Sequence, residues 1–193
     1  MDTVIPVPDP GTMRLGTIEF RAMNNPVRRY IQEHIEFETF RRFLSRRGIN
    51  LKGTVIMDAG CGSGFSTELI VKRFGPARVI AFDLMPEQVS LAKKRVAGID
   101  FFVGDVTEMP ERDYGCDAVF VFCILHHIPA WQKALLGISG ALKSGGYLLI
   151  EEPEERYITW PRLEQGMSEA GLGVLESREI LFGRIRSYLC RKK

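Results

Sequence analysis

Residues Val55 to Thr67 read V-I-M-D-A-G-C-G-S-G-F-S-T, and this run limits the possible folds more than any other. A short apolar strand delivers the chain to a glycine-rich turn, and a helix follows. Glycines let the backbone take positive φ and let a ligand come close to the main chain. N–H groups at the start of the next helix favour a negative group. In a dinucleotide site that group is a pyrophosphate. Here the spacing is G-x-G-x-G, and Asp58 stands just before the first glycine. An inward carboxylate repels pyrophosphate and suits a cationic ligand bearing an ammonium or sulfonium. By itself the turn is also compatible with an ordinary tight turn or with a nucleotide loop.

The flanking pattern repeats the strand–helix theme. Expected strands are Val55 to Met57, Arg78 to Phe82, Ile99 to Val103, Ala118 to Phe122 and Tyr147 to Ile150. Helical patterns lie at Ser66 to Phe74, Pro86 to Val96, Trp131 to Leu142 and Pro161 to Ala170, with Ser144-Gly145-Gly146 as a break. Such alternation implies right-handed crossovers and a parallel sheet covered on both faces. Val174 to Leu181 and Arg184 to Cys190 are separated only by Phe182-Gly183, too short for a crossover helix. They predict an antiparallel hairpin. The expected fold is α/β: a seven-stranded, mostly parallel sheet with an antiparallel C-terminal hairpin and helices on both faces. Upstream, Pro26 to Arg47 carries apolar residues at spacings of three and four and predicts a helix. Residues before Asn25 read as an irregular arm.

Polar groups at successive strand ends share one sheet edge, where open α/β sheets bind ligands. Asp83 ends the second strand, nineteen positions after Gly64, where a carboxylate can accept from ribose hydroxyls or simply cap a helix. Gly104-Asp105-Val106 ends the third strand and suits the amine and ring of adenine, or a plain turn.

Together these residues resemble a class I S-adenosylmethionine-dependent methyltransferase, closest in texture to small-molecule enzymes similar to the ubiquinone and menaquinone C-methyltransferases. D-A-G-C-G-S-G resembles the family's first motif, Asp83 its ribose-binding acid, and Gly104-Asp105-Val106 its adenine segment. D-A-V-F-V-F-C-I-L-H-H, Asp117 to His127, resembles the fourth motif beside the reacting methyl. The resemblance implies S-adenosylmethionine as cofactor, contacted by Asp58, Ala59, Gly60, Cys61, Gly62, Gly64, Asp83, Leu84, Gly104, Asp105, Val106 and Cys123. It implies residues 51–193 as the methyltransferase domain and residues 1–50 as an arm and helix covering the substrate.

Methyl transfer from a sulfonium is an in-line displacement, so few residues are diagnostic. His126 and His127 are the candidate catalytic bases, since histidine titrates near neutrality; capping a turn is the plain alternative. Glu151 and Glu152 border the same edge, or are solvated. The fourth motif lacks the Asn/Asp-Pro-Pro-Tyr/Phe run of enzymes that methylate nucleobase or glutamine nitrogens. The segment from Pro153 to Trp160 is short for a lid, so the acceptor is enclosed by the arm and first helix or left open. Phe20, Met23, Tyr30 and Phe37 either line that cover, favouring an aromatic or lipid-like small molecule, or simply pack the helix on the sheet.

The formal net charge of +2 lacks the basic excess of a nucleic-acid binder. Cys61, Cys116, Cys123 and Cys190 form no close pair, so no metal site is expected and a reduced, cytoplasmic protein is. No stretch reads as a signal peptide or membrane span. The sequence implies no particular oligomeric state. The rival classes are a nucleotide-dependent oxidoreductase, an RNA or protein methyltransferase, and a non-catalytic scaffold.

Overall fold

A computed structural model describes residues 25–109, 114–155 and 157–193. Seven strands form one sheet in the order β3-β2-β1-β4-β5-β7-β6. They are β1 Val55–Ala59, β2 Arg78–Asp83, β3 Asp100–Val103, β4 Cys116–Phe122, β5 Leu142–Pro153, β6 Leu172–Ile180 and β7 Ile185–Lys192. The first five run parallel, and β7 inserts antiparallel between β5 and β6. The expected fold is therefore found. The order reverses between β1 and β4, so the carboxyl ends of these two strands flank a natural crevice.

Side chains alternate across the sheet, as a pleat requires. On β4, Ala118, Phe120 and Phe122 join one core, while Val119 and Val121 join the other. The second core is closed by helices Trp131–Ala141 and Trp160–Glu169 through Trp131, Leu135, Ile138, Leu163 and Met167. The first is closed by Phe37, Phe40, Phe43 and Leu44 from the leading helix, with Ile70 and Val89 from helices Phe65–Phe74 and Pro86–Arg95. Phe37 stacks against Phe122 with ring centroids 5.1 Å apart.

Two local features depart from the sequence expectation. The leading helix is one rod in three parts: α-helix Pro26–Ile31, a π-turn Gln32–Glu36, and α-helix Phe37–Arg46. Phe37 N–H reaches back to the Gln32 carbonyl, the five-residue spacing of a π-turn. The widened turn advances the register, so Glu36 is buried alongside Phe37 and Phe40. Second, β5 begins at Leu142, not after Gly146. Its pairing with β4 jumps from Cys116↔Leu142 to Ala118↔Tyr147, so Ser144-Gly145-Gly146 is a bulge within the strand. Gly146 permits this because a Cβ there would sit 2.9 Å from the Lys143 carbonyl oxygen.

Candidate active site

The turn after β1 takes its shape from three left-handed glycines: Gly60 at φ +77°, Gly62 at +52° and Gly64 at +80°. Their surroundings differ. A Cβ on Gly60 would meet the Ile124 side chain at 2.8 Å, and one on Gly64 would lie 2.9 Å from the Ala92 backbone. A Cβ on Gly62 would enter open space. Gly60 and Gly64 are thus packed, while Gly62 keeps the main chain accessible. Ala59 is buried at the end of β1, and Cys61 is core, its thiol pushed well up by burial and kept neutral.

The Asp58 carboxyl is buried behind the turn. It is 0 % exposed, and its Oδ2 accepts from the Ser66 and Thr67 hydroxyls at 2.7 and 2.6 Å. Its Oδ1 has no hydrogen-bond partner. The sequence reading gave this residue a cationic ligand, but the carboxyl instead ties β1 to the first turn of the following helix. Burial pushes it up to about 6, against the lowering effect of Thr67 and Ser66. Because the shift is upward, the folded state holds this proton more tightly than the unfolded chain. The resulting stabilisation is complete below the ordinary 3.8 and is lost as pH rises through about 6. The shift corresponds to roughly 3 kcal/mol at neutral pH. We expect the melting temperature of Asp58→Asn, relative to the parent, to rise between pH 4 and pH 7. A difference that does not change with pH would contradict this placement.

Asp83, at the end of β2, buttresses the turn. Its Oδ2 accepts from Gly62 N–H and its Oδ1 from Met85 N–H, both at 2.9 Å. Burial raises it, partly offset by those two N–H groups. Each oxygen retains a lone pair for a ligand. Leu84 follows, half-buried. Beyond β3, Gly104 N–H donates to the Asp83 carbonyl at 3.0 Å, joining the two strand ends. Asp105 caps the short turn Val106–Glu108 by accepting from the Thr107 N–H and hydroxyl, both at 2.7 Å, and Val106 is buried.

The end of β4 carries the strain. Cys123 is a non-glycine residue at φ +53°, held by its N–H bond to the Glu151 carbonyl at 2.9 Å. Left-handed residues other than glycine cost free energy and gather at functional sites. Its thiol is pushed well up, first by burial and then by Glu151, Glu36 and Glu152, so it is not a thiolate nucleophile.

Past Cys123 the chain turns at Leu125–His127 around a buried carboxylate. Glu152, 0 % exposed, accepts from the N–H groups of Ile124, Leu125 and His126 at 2.9, 2.7 and 3.2 Å. Its Oε2 also lies 2.7 Å from His126 Nδ1. A carboxylate there favours the tautomer with the proton on Nδ1, while Nε2 lies 3.9 Å from Glu155 Oε2. A base oriented by a third group in this way is a recurring catalytic arrangement. His127 packs on it, the ring centroids 3.9 Å apart.

A cavity of about 190 Å³ joins these parts. Gly60, Cys61, Gly62, Ser63, Cys123, His126 and His127 lie on the sheet side, with Phe65, Ser66, Gln88 and Phe122. The leading helix supplies Arg28, Arg29 and Gln32 opposite. Arg29 stacks on Phe65 with its guanidinium carbon 5.8 Å from the ring centroid, and its buried Nε has no hydrogen-bond partner.

The structure therefore brings Gly60, Cys61, Gly62, Cys123, His126 and His127 together and leaves Asp58, Ala59, Gly64, Asp83, Leu84, Gly104, Asp105 and Val106 off the cavity wall. Of the expected cover, Tyr30 is exposed, with its ring on His34, and Phe37 is buried in the core. Phe20 and Met23 lie outside the described residues. Sequence reasoning missed Arg28, Arg29, Gln32 and Gln88. Their one signal was the spacing of four between Arg28, Gln32 and Glu36, polar positions in a helix judged by its phenylalanines. Among the described residues no group of His, Cys, Asp and Glu is arranged to hold a metal, and no helix is long and apolar enough to cross a membrane.

Residues 57–150 match a family described as a methyltransferase domain. The chain is 29% identical over 139 residues to a fatty-acid O-methyltransferase of Mycolicibacterium smegmatis, covering 71% of this chain and 50% of that protein. It is 32% identical over 99 residues to a trans-aconitate 2-methyltransferase of Rhodopseudomonas palustris, covering 51% and 38%. The chain thus spans half or less of the length of these curated relatives. A solved S-adenosylmethionine-dependent methyltransferase from Aquifex aeolicus superposes with a TM-score of 0.74 at 19% identity, covering 93% of this chain and all of that one. Strand order, glycine cradle and the match over residues 57–150 agree: the central segment resembles a methyltransferase domain, and the chain has the fold of solved S-adenosylmethionine-dependent methyltransferases.

Proposed function

We propose that this chain transfers a methyl group from S-adenosylmethionine to a small-molecule acceptor, and that His126 takes the acceptor's proton. The observation that carries the reading is the meeting of Gly62, Cys123 and His126 on one cavity wall, with Glu152 behind it holding the His126 ring. The residues fit the cofactor. Gly62 leaves room where any side chain would intrude, Asp83 keeps free lone pairs at the next strand end, and Arg29 presents a buried N–H without a partner. The cavity is smaller than a typical whole-ligand site. We assign it the sulfonium end and the acceptor's reacting group, with the ribose and adenine reaching out over Asp83 and Gly104-Asp105.

Bound there, the cofactor supplies an electrophilic methyl carbon and a neutral thioether leaving group. The chain's own work is alignment and proton removal. The glycine turn and the strand end at Cys123 fix one side, and Arg28, Arg29 and Gln32 orient the acceptor from the other. His126, its Nδ1–H donated to Glu152, accepts the proton of a phenol, enol or similar nucleophile at Nε2. The leading helix lines the cavity with polar groups, so the apolar cover expected from Tyr30 and Phe37 does not form. An aromatic or lipid-like acceptor would therefore enter with an oxygen-bearing head first. The fatty acid and trans-aconitate named for the relatives support the small-molecule class. The nearer likeness to the quinone C-methyltransferases remains part of this proposal.

A screen of metabolite pools with isotope-labelled S-adenosylmethionine, read by mass, should show label in a small molecule. Label found only in RNA or protein would refute the reading. Asp83→Ala should weaken binding of S-adenosylhomocysteine, since each charge-assisted hydrogen bond lost is worth roughly 1.5–3 kcal/mol, with no gain in NAD affinity. Unchanged calorimetric affinity in that variant would remove Asp83 from the ribose.

A further inference from the structure

Two buried carboxyls and a half-buried guanidinium meet where the leading helix crosses the ends of β4, β5 and β7. Arg28 Nη1 donates to Glu36 Oε2 at 2.8 Å. Glu36 is 1 % exposed and faces Glu151, which is 0 % exposed. Glu151 Oε2 accepts from the Ser187 hydroxyl at 3.3 Å, and its Oε1 finds no donor. Two buried carboxyls that face each other are best satisfied by one shared proton, which would supply the donor that Oε1 lacks. With one proton shared, the group carries one positive and one negative charge, the only form in which burial is affordable. The charged or titratable groups facing it are Arg28 and Glu36 from the helix, Cys123 beyond β4, and Glu152 on β5.

The π-turn completes the arrangement. It places Glu36 one widened turn after Gln32, so Arg28 and Gln32 face the cavity while Glu36 lies beneath them. Glu36 and Glu151 do not line the cavity; they hold Arg28 in its wall.

We propose that Glu36 and Glu151, sharing one proton, are positioning residues that fasten the leading helix to the sheet and set Arg28 against the bound ligand, so that losing the proton weakens binding. This rests on the cavity being the methyl-transfer site proposed above. Burial, and next the neighbouring Glu36, push Glu151 well up. A raised carboxyl stabilises the fold below its ordinary range, and that stability is lost as pH rises through the folded value.

The test measures S-adenosylhomocysteine affinity by calorimetry, and melting temperature, across about pH 7 to 9, where buried carboxyls of this kind titrate and above the range of Asp58. In the parent both should fall with rising pH, affinity by about tenfold, or roughly 1.4 kcal/mol. Glu151→Gln, which carries its own N–H donor, should hold both nearly level. Arg28→Gln should lower affinity at every pH. A parent with no slope, a Glu151→Gln with the parent's slope, or an Arg28→Gln with the parent's affinity would each overturn the proposal. No binding at any pH would instead overturn the site reading, and the melting slopes would still decide whether the proton is shared.

Discussion

Gly64→Ala should lower the melting temperature by about 5–15 °C, given that 1 kcal/mol moves a chain of this size by roughly 2–4 °C. Two costs combine. At φ +80° any Cβ carries a left-handed penalty of about 1–2 kcal/mol. That Cβ would also lie 2.9 Å from both Cα and Cβ of Ala92 on helix Pro86–Arg95. Neither is the end of a flexible side chain, so the helix must shift, and overpacking of this kind costs about 1–3 kcal/mol. Gly62→Ala isolates the other role of the turn. Its φ of +52° brings only the first penalty, because nothing lies within 4 Å of the new atom. Its melting temperature should drop by only a few degrees, yet S-adenosylhomocysteine affinity should fall by about tenfold or more, above 1.4 kcal/mol. Equal thermal losses in the two variants would refute the packing account of Gly64. Full affinity in Gly62→Ala would show that no ligand approaches the main chain there.

This contrast marks how far the sequence could be read. G-x-G-x-G requires left-handed backbone, and the strand–turn–helix frame makes the fold legible, down to the hairpin forced by the two-residue gap at Phe182-Gly183. The sequence does not say which way Asp58 points, because its partners are the Ser66 and Thr67 hydroxyls one helical turn away. It does not reveal the π-turn, since apolar spacing stays helical on both sides of Gln32–Glu36. Gly145-Gly146 read as a break because a bulge and a loop use the same residues. Phe37 was assigned to acceptor binding, yet stacks on Phe120 and Phe122 as its spacing with Phe40 and Leu44 already allowed. Glu151 and Glu152 are the hardest case. Carboxylates are seldom fully buried unless paired, and their partners lie 26 or more residues away. Only the pairing of Phe122 with Glu151 across β4 and β5 brings Glu152 beneath Ile124 to His126.

That register makes Glu152 the residue whose loss should cost most activity. Glu152→Ala would leave three N–H groups and a histidine without their acceptor in a buried site. Removing one partner of such a cluster costs about 3–5 kcal/mol in stability, so unfolding would obscure its kinetics. Glu152→Gln is the better variant. It keeps the volume and one carbonyl acceptor but sets an NH₂ group against N–H donors, so it can no longer fix the Nδ1–H tautomer of His126. If Nε2 is the base, kcat with the acceptor found in the labelling screen should fall by about 10²–10⁴, the usual contribution of a positioned base. S-adenosylhomocysteine affinity should barely change, because Glu152 is not on the cavity wall. His126→Gln should give a similar loss, and combining the two should add little, since residues acting as one unit are not additive. Losses that multiply in the double variant would mean that Glu152 only shapes the turn at Leu125–His127. Full activity in both single variants would mean that the acceptor arrives already deprotonated, and that alignment alone carries the transfer.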